Sequence, residues 1–550
     1  MKKTIAIISI IFVLVLIVGG IYFIRERANS QVIAFSDDLF LIIEDIPIED
    51  GEPVFLEGEE IYIDFDIVKI YIDEDIFYDY DEEMVIVTDK SRVRRYRIDD
   101  NIATVNSKEF TIENPIKLIH DRIYIPMEIY DNSNIDINYY PDTHGVVIDY
   151  IDMYYLNGEV VLEGAHIRTD LDKKAPILAK DLEIGISLNV YGEYEQWYKV
   201  RTIDGILGFM EKKYLKLNHT KDIYKTELID REVQQDIRSQ KINLTWDYTY
   251  RKVNNVGNID NIVGVNVIFP TWFSIMDSNG EIMDKGNREY VKKYNELKYE
   301  LWPLIDNNFN PDLTHELLKS SHGREKLINR ILSIYLDYGF QGINIDFENV
   351  YLKDRDLLTQ FIRELYPVFK ENGMCVSMDI TPISTSENWS KSFDRRRLVE
   401  AVDYLILMAY DQHWAASPIA GSVAQYSWVE NSLKGIFQEV PREKTILAVP
   451  YYTRLWIIED GNISSQSLSM DVANSFIAKN NIELIWDDES KQYYGQMAED
   501  GKEYKIWLED RNSLGYKASL VNKYSLAGIA SWRKGFETQD IWSAIDKVLD

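Results

Sequence analysis

Residues 341–348 read Gln-Gly-Ile-Asn-Ile-Asp-Phe-Glu, a run in which apolar and polar side chains alternate. On a strand, Ile343, Ile345 and Phe347 take one face, and Asn344, Asp346 and Glu348 take the other. The second face is a row of one amide and two acids spaced roughly 7 Å apart. Carboxyls held that close repel when both are charged, so one tends to keep its proton at neutral pH. A proton-bearing acid beside an ionised one is the pair that glycosidic bond cleavage requires. The alternative is an edge strand with a solvated polar face. The apolar flanks and Gly342 ahead of the row argue against it. A purely structural Glu348 is disfavoured because a row of acids is costly to bury without a use.

Such a row must be presented by a rigid frame. From Lys241 onward short apolar stretches alternate with amphipathic helical ones, which is the texture of a parallel α/β fold. The spacing predicts strands at 242–248, 263–269, 300–305, 342–347, 376–381, 404–410, 445–450 and 528–532. Eight strands over that length fit a (β/α)8 TIM barrel, with a β-rich subdomain inserted between Trp456 and Leu526. In such a barrel the active site lies at the C-terminal strand ends. There the sequence places Asp346 and Glu348, then Met408-Ala409-Tyr410-Asp411, then Pro450-Tyr451-Tyr452-Thr453-Arg454, then Trp532. Aromatic rings among polar groups suit a carbohydrate, whose C–H faces pack on rings while its hydroxyls need partners. For Tyr410 the competing reading is core packing, and for Asp411 a helix N-cap. Trp272, Trp302, Trp414 and Trp456 are open to two readings, groove lining and barrel-end packing.

These motifs make residues 241–550 resemble glycoside hydrolase family 18. Its strand-four motif is Asp-Gly-x-Asp-x-Asp-x-Glu, against Gln341 to Glu348 here. Asn-x-Asp-Phe-Glu, Pro-Thr-Trp-Phe at 270–273 and Met-Ala-Tyr-Asp at 408–411 are similar to the bacterial cell-wall and spore-germination branch. The resemblance implies a substrate-assisted retaining mechanism. Glu348 would protonate the leaving oxygen and later activate water. Asp346 would orient the sugar's acetamido N–H, and Tyr410 would hydrogen-bond its oxygen. Asn344, Asp411, Trp532, Met408, Tyr452 and Arg454 complete the implied substrate-binding set. Met408 would act by packing, and for Tyr452 and Arg454 ion pairing or packing competes with substrate contact. Two positions depart from the motif. Gln341 replaces an acid at its edge, where a structural or modest effect is expected. Asn344 replaces the first inner acid; its amide is expected to hydrogen-bond Asp346 and to let Asp346 ionise more easily.

Upstream the chain is organised differently. Residues 31–155 alternate Ile, Val and Tyr with acidic turns, an all-β pattern, and 117–129 resemble the copper amine oxidase N-terminal-like module, with no copper implied. Residues 156–218 place glycines at hairpin positions around Trp197 and resemble a bacterial SH3-like domain, in which Trp197 is either a binding or a packing aromatic. Residues 219–240 read as a linker. At the start, Lys2 and Lys3 precede an uncharged stretch from Thr4 to Ile24. As a helix it would reach about 31 Å, so residues 1–30 are expected to form an uncleaved single-pass anchor in the cell membrane, with the bulk outside on the wall side.

Composition narrows the partners. Asp and Glu number 91 against 60 Lys and Arg, a net charge of −31, which argues against nucleic acid. The single cysteine, Cys375, excludes a disulfide framework and reads as a small buried residue. The seven histidines show no metal-ligand spacing, and neither a metal nor a cofactor is expected. The expectation is a cell-surface glycoside hydrolase cutting β-linked N-acetylglucosamine bonds in peptidoglycan or a related amino-sugar polymer. The alternatives are a chitinase and a non-catalytic carbohydrate-binding wall protein on the same fold; retention of Glu348 speaks against the latter.

Overall fold

The computed structural model describes residues 32–33, 38–49, 51–131, 133–151, 156–218, 240–252, 256–257 and 259–549. They fall into two compact units, one drawn from Met1–Ile76, Tyr96–Ile102 and Thr111–Asp230, the other from Phe77–Arg95, Ala103–Phe110 and Arg231–Asp550. The single-pass anchor is corrected: among the described residues no helix is long and apolar enough to cross a membrane. The stretch expected to do so, residues 4–24, lies outside the described residues, as does most of the expected linker.

The first unit is built of β-sheets. One four-stranded sheet pairs Phe40–Ile43 in parallel with Gly145–Tyr150, and another pairs Glu60–Asp64 antiparallel with Arg122–Pro126. Residues 156–217 form a seven-stranded antiparallel sheet around Val160, Ile167, Val200 and Met210. Trp197 is buried at the start of Trp197–Arg201, the packing outcome of its two readings.

The second unit holds the barrel. Its strands are β1 (Ile242–Asp247), β2 (Val267–Ile275), β3 (Leu304–Asp306), β4 (Gly342–Asp346), β5 (Cys375–Ile380), β6 (Tyr404–Met408), β7 (Thr445–Pro450) and β8 (Gly528–Trp532). Each pairs in parallel with the next, and β1 pairs with both β2 and β8, so the sheet closes. Gly342 is required where it stands: a Cβ there would lie 2.6 Å from the Trp302 ring and 2.8 Å from the Cys375 carbonyl. Cys375 is half-buried rather than buried.

Two strand expectations shift. The strand predicted at 263–269 instead runs through Pro270 to Ile275, with a register irregularity between Thr271 and Phe273. The strand predicted at 300–305 is split by Trp302-Pro303 into Glu300–Leu301 and β3, since proline cannot donate to a ladder.

The subdomain expected after β7 is present as a five-stranded antiparallel sheet opened by Tyr452–Glu459, with helix Met470–Lys479 against it. Gln492 fastens it to the barrel, donating to Glu509 at 2.8 Å and accepting from Ser422 at 2.5 Å.

Strands Phe77–Asp79 and Met84–Thr88 also belong to this unit, and Ile86 and Val93 join the barrel's outer core. Asp79 accepts from the backbone and hydroxyl of Ser321 at 2.8 and 2.6 Å, at the start of helix Ser321–Tyr338. Fully buried Glu364, on helix Arg355–Glu371, meets Arg324 at 2.9 Å and Arg95 at 2.8 Å.

Candidate active site

The strand register lays three acids on adjacent rungs. Asp306 on β3 is directly opposite Asp346 on β4. The last paired rung of β4 and β5 is Ile345–Met378, and the next positions are Asp346 and Asp379. Strand alternation turns Asn344 and Asp346 inward on β4, and Ser377 and Asp379 inward on β5.

Hydrogen bonds fix part of this row. Ser377 Oγ donates to Asn344 Oδ1 at 2.9 Å, and Asn344 Nδ2 donates to Asp379 Oδ2 at 2.8 Å. Ser274 Oγ on β2 and the Asn308 backbone N–H each donate to Asp306 at 2.9 Å. Asn307 holds the segment after β4 from both sides, accepting from the Glu348 N–H at 3.1 Å and donating to its carbonyl at 2.8 Å. One oxygen of Asp346 and one of Asp379, each named Oδ1, are buried without a hydrogen-bond partner.

Asp379 is buried, Asp306, Asp346 and Glu348 are half-buried, and the acids have mainly one another for charged neighbours. Burial pushes Asp346 well above the usual carboxylate range, and Glu348, Asp379 and Asp306 add to it. Burial also raises Asp379, against the Asn344 hydrogen bond and with Glu348 adding to the rise. Glu348 is pushed up to about 7, chiefly by burial and then by Asp411 and Asp306. The row can therefore retain protons near neutrality and release them when a polar substrate enters.

The expectations for Asn344 are corrected here. Its amide is bound to Asp379, not Asp346, and Asp346 is raised rather than freed to ionise. The reason is that β5 returns to the cluster the carboxyl that β4 lacks. Gln341 has a structural part, its side chain accepting from the Leu301 N–H at 3.0 Å and donating to the Gly339 carbonyl at 2.7 Å.

The other expected residues surround the row. Tyr410 follows β6, and burial together with Asp379, Glu348 and Asp346 raises its hydroxyl well above its ordinary value. Asp411 has a left-handed backbone, φ 57°, and caps no helix. Its Oδ1 accepts from Tyr452 at 2.5 Å and from Arg454 at 2.9 Å, so the inserted subdomain's first strand pins it. Arg454 thus has the ion-pair reading, and Tyr452 a hydrogen bond to the same carboxylate. Met408 is buried at the end of β6. Trp532 is half-buried at the end of β8, with ring centres 5.7 Å from Trp246 and 6.3 Å from Tyr248. Trp272, Trp302 and Trp456 are packing residues, whereas Trp414 is 56% exposed.

The residues named from the strand-four motif missed Asp379 and Asp306. The alternation Ser377-Met378-Asp379 carried the signal for the first, and the end of a strand broken by Pro303 hid the second. A rim pair was missed too: Phe309 and Trp389 are 51% and 42% exposed, with ring centres 6.2 Å apart. Asn349, next to Glu348, ties them to the site, donating to the Phe309 carbonyl at 2.9 Å and accepting from Asn388 at 3.1 Å. Among the described residues no group of three or more His, Cys, Asp or Glu side chains is arranged to hold a metal ion.

Comparison with known proteins follows the same division. Residues 273–536 match the family model of glycosyl hydrolases family 18, and residues 42–148 match the copper amine oxidase N-terminal domain. YdhD of Bacillus subtilis (strain 168) is 29% identical over 235 residues, covering 42% of this chain and 55% of that protein. The cortical fragment-lytic enzyme of the same organism is 25% identical over 245 residues, covering 44% of this chain and 57% of that enzyme. The matches thus span little more than half the length of these two relatives. A chitinase from Chromobacterium violaceum ATCC 12472 shares the fold, with a TM-score of 0.50 and 22% identity over 56% of this chain and 99% of that one.

Proposed function

We propose, from the premise that residues 273–536 are a glycosyl hydrolases family 18 domain, that the barrel cleaves β-linked N-acetylglucosamine bonds in peptidoglycan or a related amino-sugar polymer. The observation that carries this reading is Glu348, a half-buried carboxyl pushed up to about 7 at the mouth of the barrel. Such an acid holds its proton at neutral pH and can give it to a leaving glycosidic oxygen.

In this reading the substrate supplies its own nucleophile. The oxygen of the 2-acetamido group attacks the anomeric carbon as Glu348 protonates the departing oxygen. Asp346 accepts the acetamido N–H and offsets the positive charge of the cyclic intermediate, and the Tyr410 hydroxyl donates to the acetamido oxygen. Glu348, now a carboxylate, takes a proton from the water that reopens the ring. Asp411, held by Tyr452 and Arg454, contacts the same sugar, over Trp532 as a floor and beside Met408. Asn344 acts through the carboxyls it touches.

The upstream β modules are read as accessory parts. Residues 31–155 are taken as a spacer or wall-contact domain, 156–218 as an SH3-like domain, 219–240 as a linker and 241–550 as the hydrolase barrel. The relatives favour a wall polymer, since one of them is named as a cortical fragment-lytic enzyme. Digestion of purified peptidoglycan, N-acetylglucosamine oligomers and their deacetylated forms, side by side, tests the reading. Reducing ends are expected from acetylated substrates alone. Equal cleavage of deacetylated glycan would sink the substrate-assisted mechanism, and no cleavage of any would favour a binding protein.

A further inference from the structure

The mechanism above uses Glu348 and Asp346 but leaves a buried acid unemployed. Asp379 is 1% exposed, lies on β5 rather than on the motif strand, and spends one oxygen on Asn344. Its other oxygen has no partner, and neither has one oxygen of Asp346, the next inward residue on the neighbouring strand. Burying two carboxyl oxygens without partners, one on buried Asp379 and one on half-buried Asp346, is expensive unless something joins them. Among the described residues, the charges that act on either acid are all carboxylates. The groups facing this pair are Asp306 from β3, Glu348 beyond β4 and Tyr410 after β6; Asp411 acts on Glu348, and the Arg454 guanidinium is committed to Asp411. A single proton between the two free oxygens satisfies both and leaves one negative charge on the pair.

We propose that Asp379 is a positioning residue of this site, sharing one proton with Asp346 across the β4–β5 rung and so supplying, from another strand, the carboxyl that Asn344 does not. When the substrate's acetamido N–H arrives, the proton moves from Asp346 to Asp379. Asp346 is left as the carboxylate that accepts the N–H, and no other bond is made or broken. The Asn344 amide steadies Asp379 through its second oxygen. This inference rests on the function proposed above.

The decisive variant is Asp379→Asn, which keeps an oxygen for the Asn344 amide but cannot hold the shared proton. It is expected to fold with a melting temperature no lower than the parent's, to lose kcat on N-acetylglucosamine oligomers by about tenfold or more, and to change KM by less than about twofold. The acid limb of its kcat profile should move to higher pH, since the amide N–H that replaces the shared proton is a weaker donor to the Asp346 carboxylate than a carboxyl O–H. The exchange variant Asn344→Asp/Asp379→Asn returns the acid from the other side and should recover kcat to within about threefold. A readout without substrate is the Asp346 carboxyl carbon in aspartate-labelled protein, assigned by its loss in Asp346→Asn. It should titrate in two steps in the parent and in one in Asp379→Asn. Parent-like kcat and pH profile in Asp379→Asn overturn the proposal, as does a loss that the exchange variant leaves unrepaired. If the parent cleaves none of the polymers, the proposed function fails, while the titration still decides this inference: a single step in the parent overturns it.

Discussion

Two regions of the barrel bury carboxyls and treat them in opposite ways. On the outer layer, fully buried Glu364 sits between two guanidinium groups, Arg324 at 2.9 Å and Arg95 at 2.8 Å. At the C-terminal mouth, buried Asp379 and half-buried Asp346, Asp306 and Glu348 are set against one another. The outer acid is compensated and its proton state has no evident use. The inner acids are uncompensated, so each bears on its neighbours' protons. Charge compensation separates a carboxyl that ties layers together from one available for proton transfer.

The comparison breaks most visibly at Glu348. Glu348→Gln should lower the release of reducing ends by about 10²–10⁴-fold with the fold intact, the range general acid–base residues contribute. Parent-like activity would remove Glu348 from its role. The same variant carries a stability signature. A carboxyl raised from 4.5 to about 7 keeps its proton in the folded chain while the unfolded chain releases it. The unfolded state then binds fewer protons, so the parent loses stability as pH rises from the unfolded value to about 7. The glutamine variant escapes that loss. Urea unfolding should find it more stable than the parent at pH 8 by up to about 3 kcal/mol, with no gain near pH 4. Equal stability at both would mean that the inner acids are not held protonated by their surroundings.

Glu364→Gln should behave in the reverse sense. Removing the charge strands buried Arg324 and leaves Arg95 only its longer pair with Glu325 at 3.4 Å, at about 3–5 kcal/mol of stability. Its urea midpoint should fall, while the pH profile of any remaining activity stays that of the parent. A moved profile would mean that the outer network reaches the site, and the contrast between the two regions would fail.

The two regions were also unequally legible in the sequence. Alternation of Ile343, Ile345 and Phe347 with Asn344, Asp346 and Glu348 was enough to place the inner row, because strand period alone decides which face a residue takes. Most barrel strands followed from short apolar runs alternating with helical stretches, and the insertion after β7 from the long gap between Trp456 and Leu526. Asp379 was as readable by alternation, yet nothing in β5 says which acid on a neighbouring strand it will stand beside; that depends on register, which is a property of the closed sheet. Glu364 and its arginines were out of reach, since Arg95 and Glu364 are separated by 269 positions and only packing brings them together. The strands around Pro270 and Pro303 shifted because a local reading stops at proline, whereas a barrel can continue through or around it.

The smallest effect probes the rim, where neither arrangement of charge applies. Phe309 and Trp389 expose about half of their surface beside Asn349, which directly follows Glu348. A half-exposed aromatic pair at the mouth of a carbohydrate site offers its faces to sugar C–H groups without touching the proton chemistry. Trp389→Ala should therefore raise KM for long N-acetylglucosamine oligomers by about 2–13-fold, equivalent to the roughly 0.5–1.5 kcal/mol of an aromatic contact, and leave kcat and both limbs of the pH profile in place. Short oligomers, which do not extend to the rim, should show a smaller change. Steady-state kinetics on a length series checks it. A fall in kcat with KM unchanged would place Trp389 with the inner acids, as a residue that holds Glu348 in position, and the boundary drawn here between binding surface and proton machinery would have to move outward to include it.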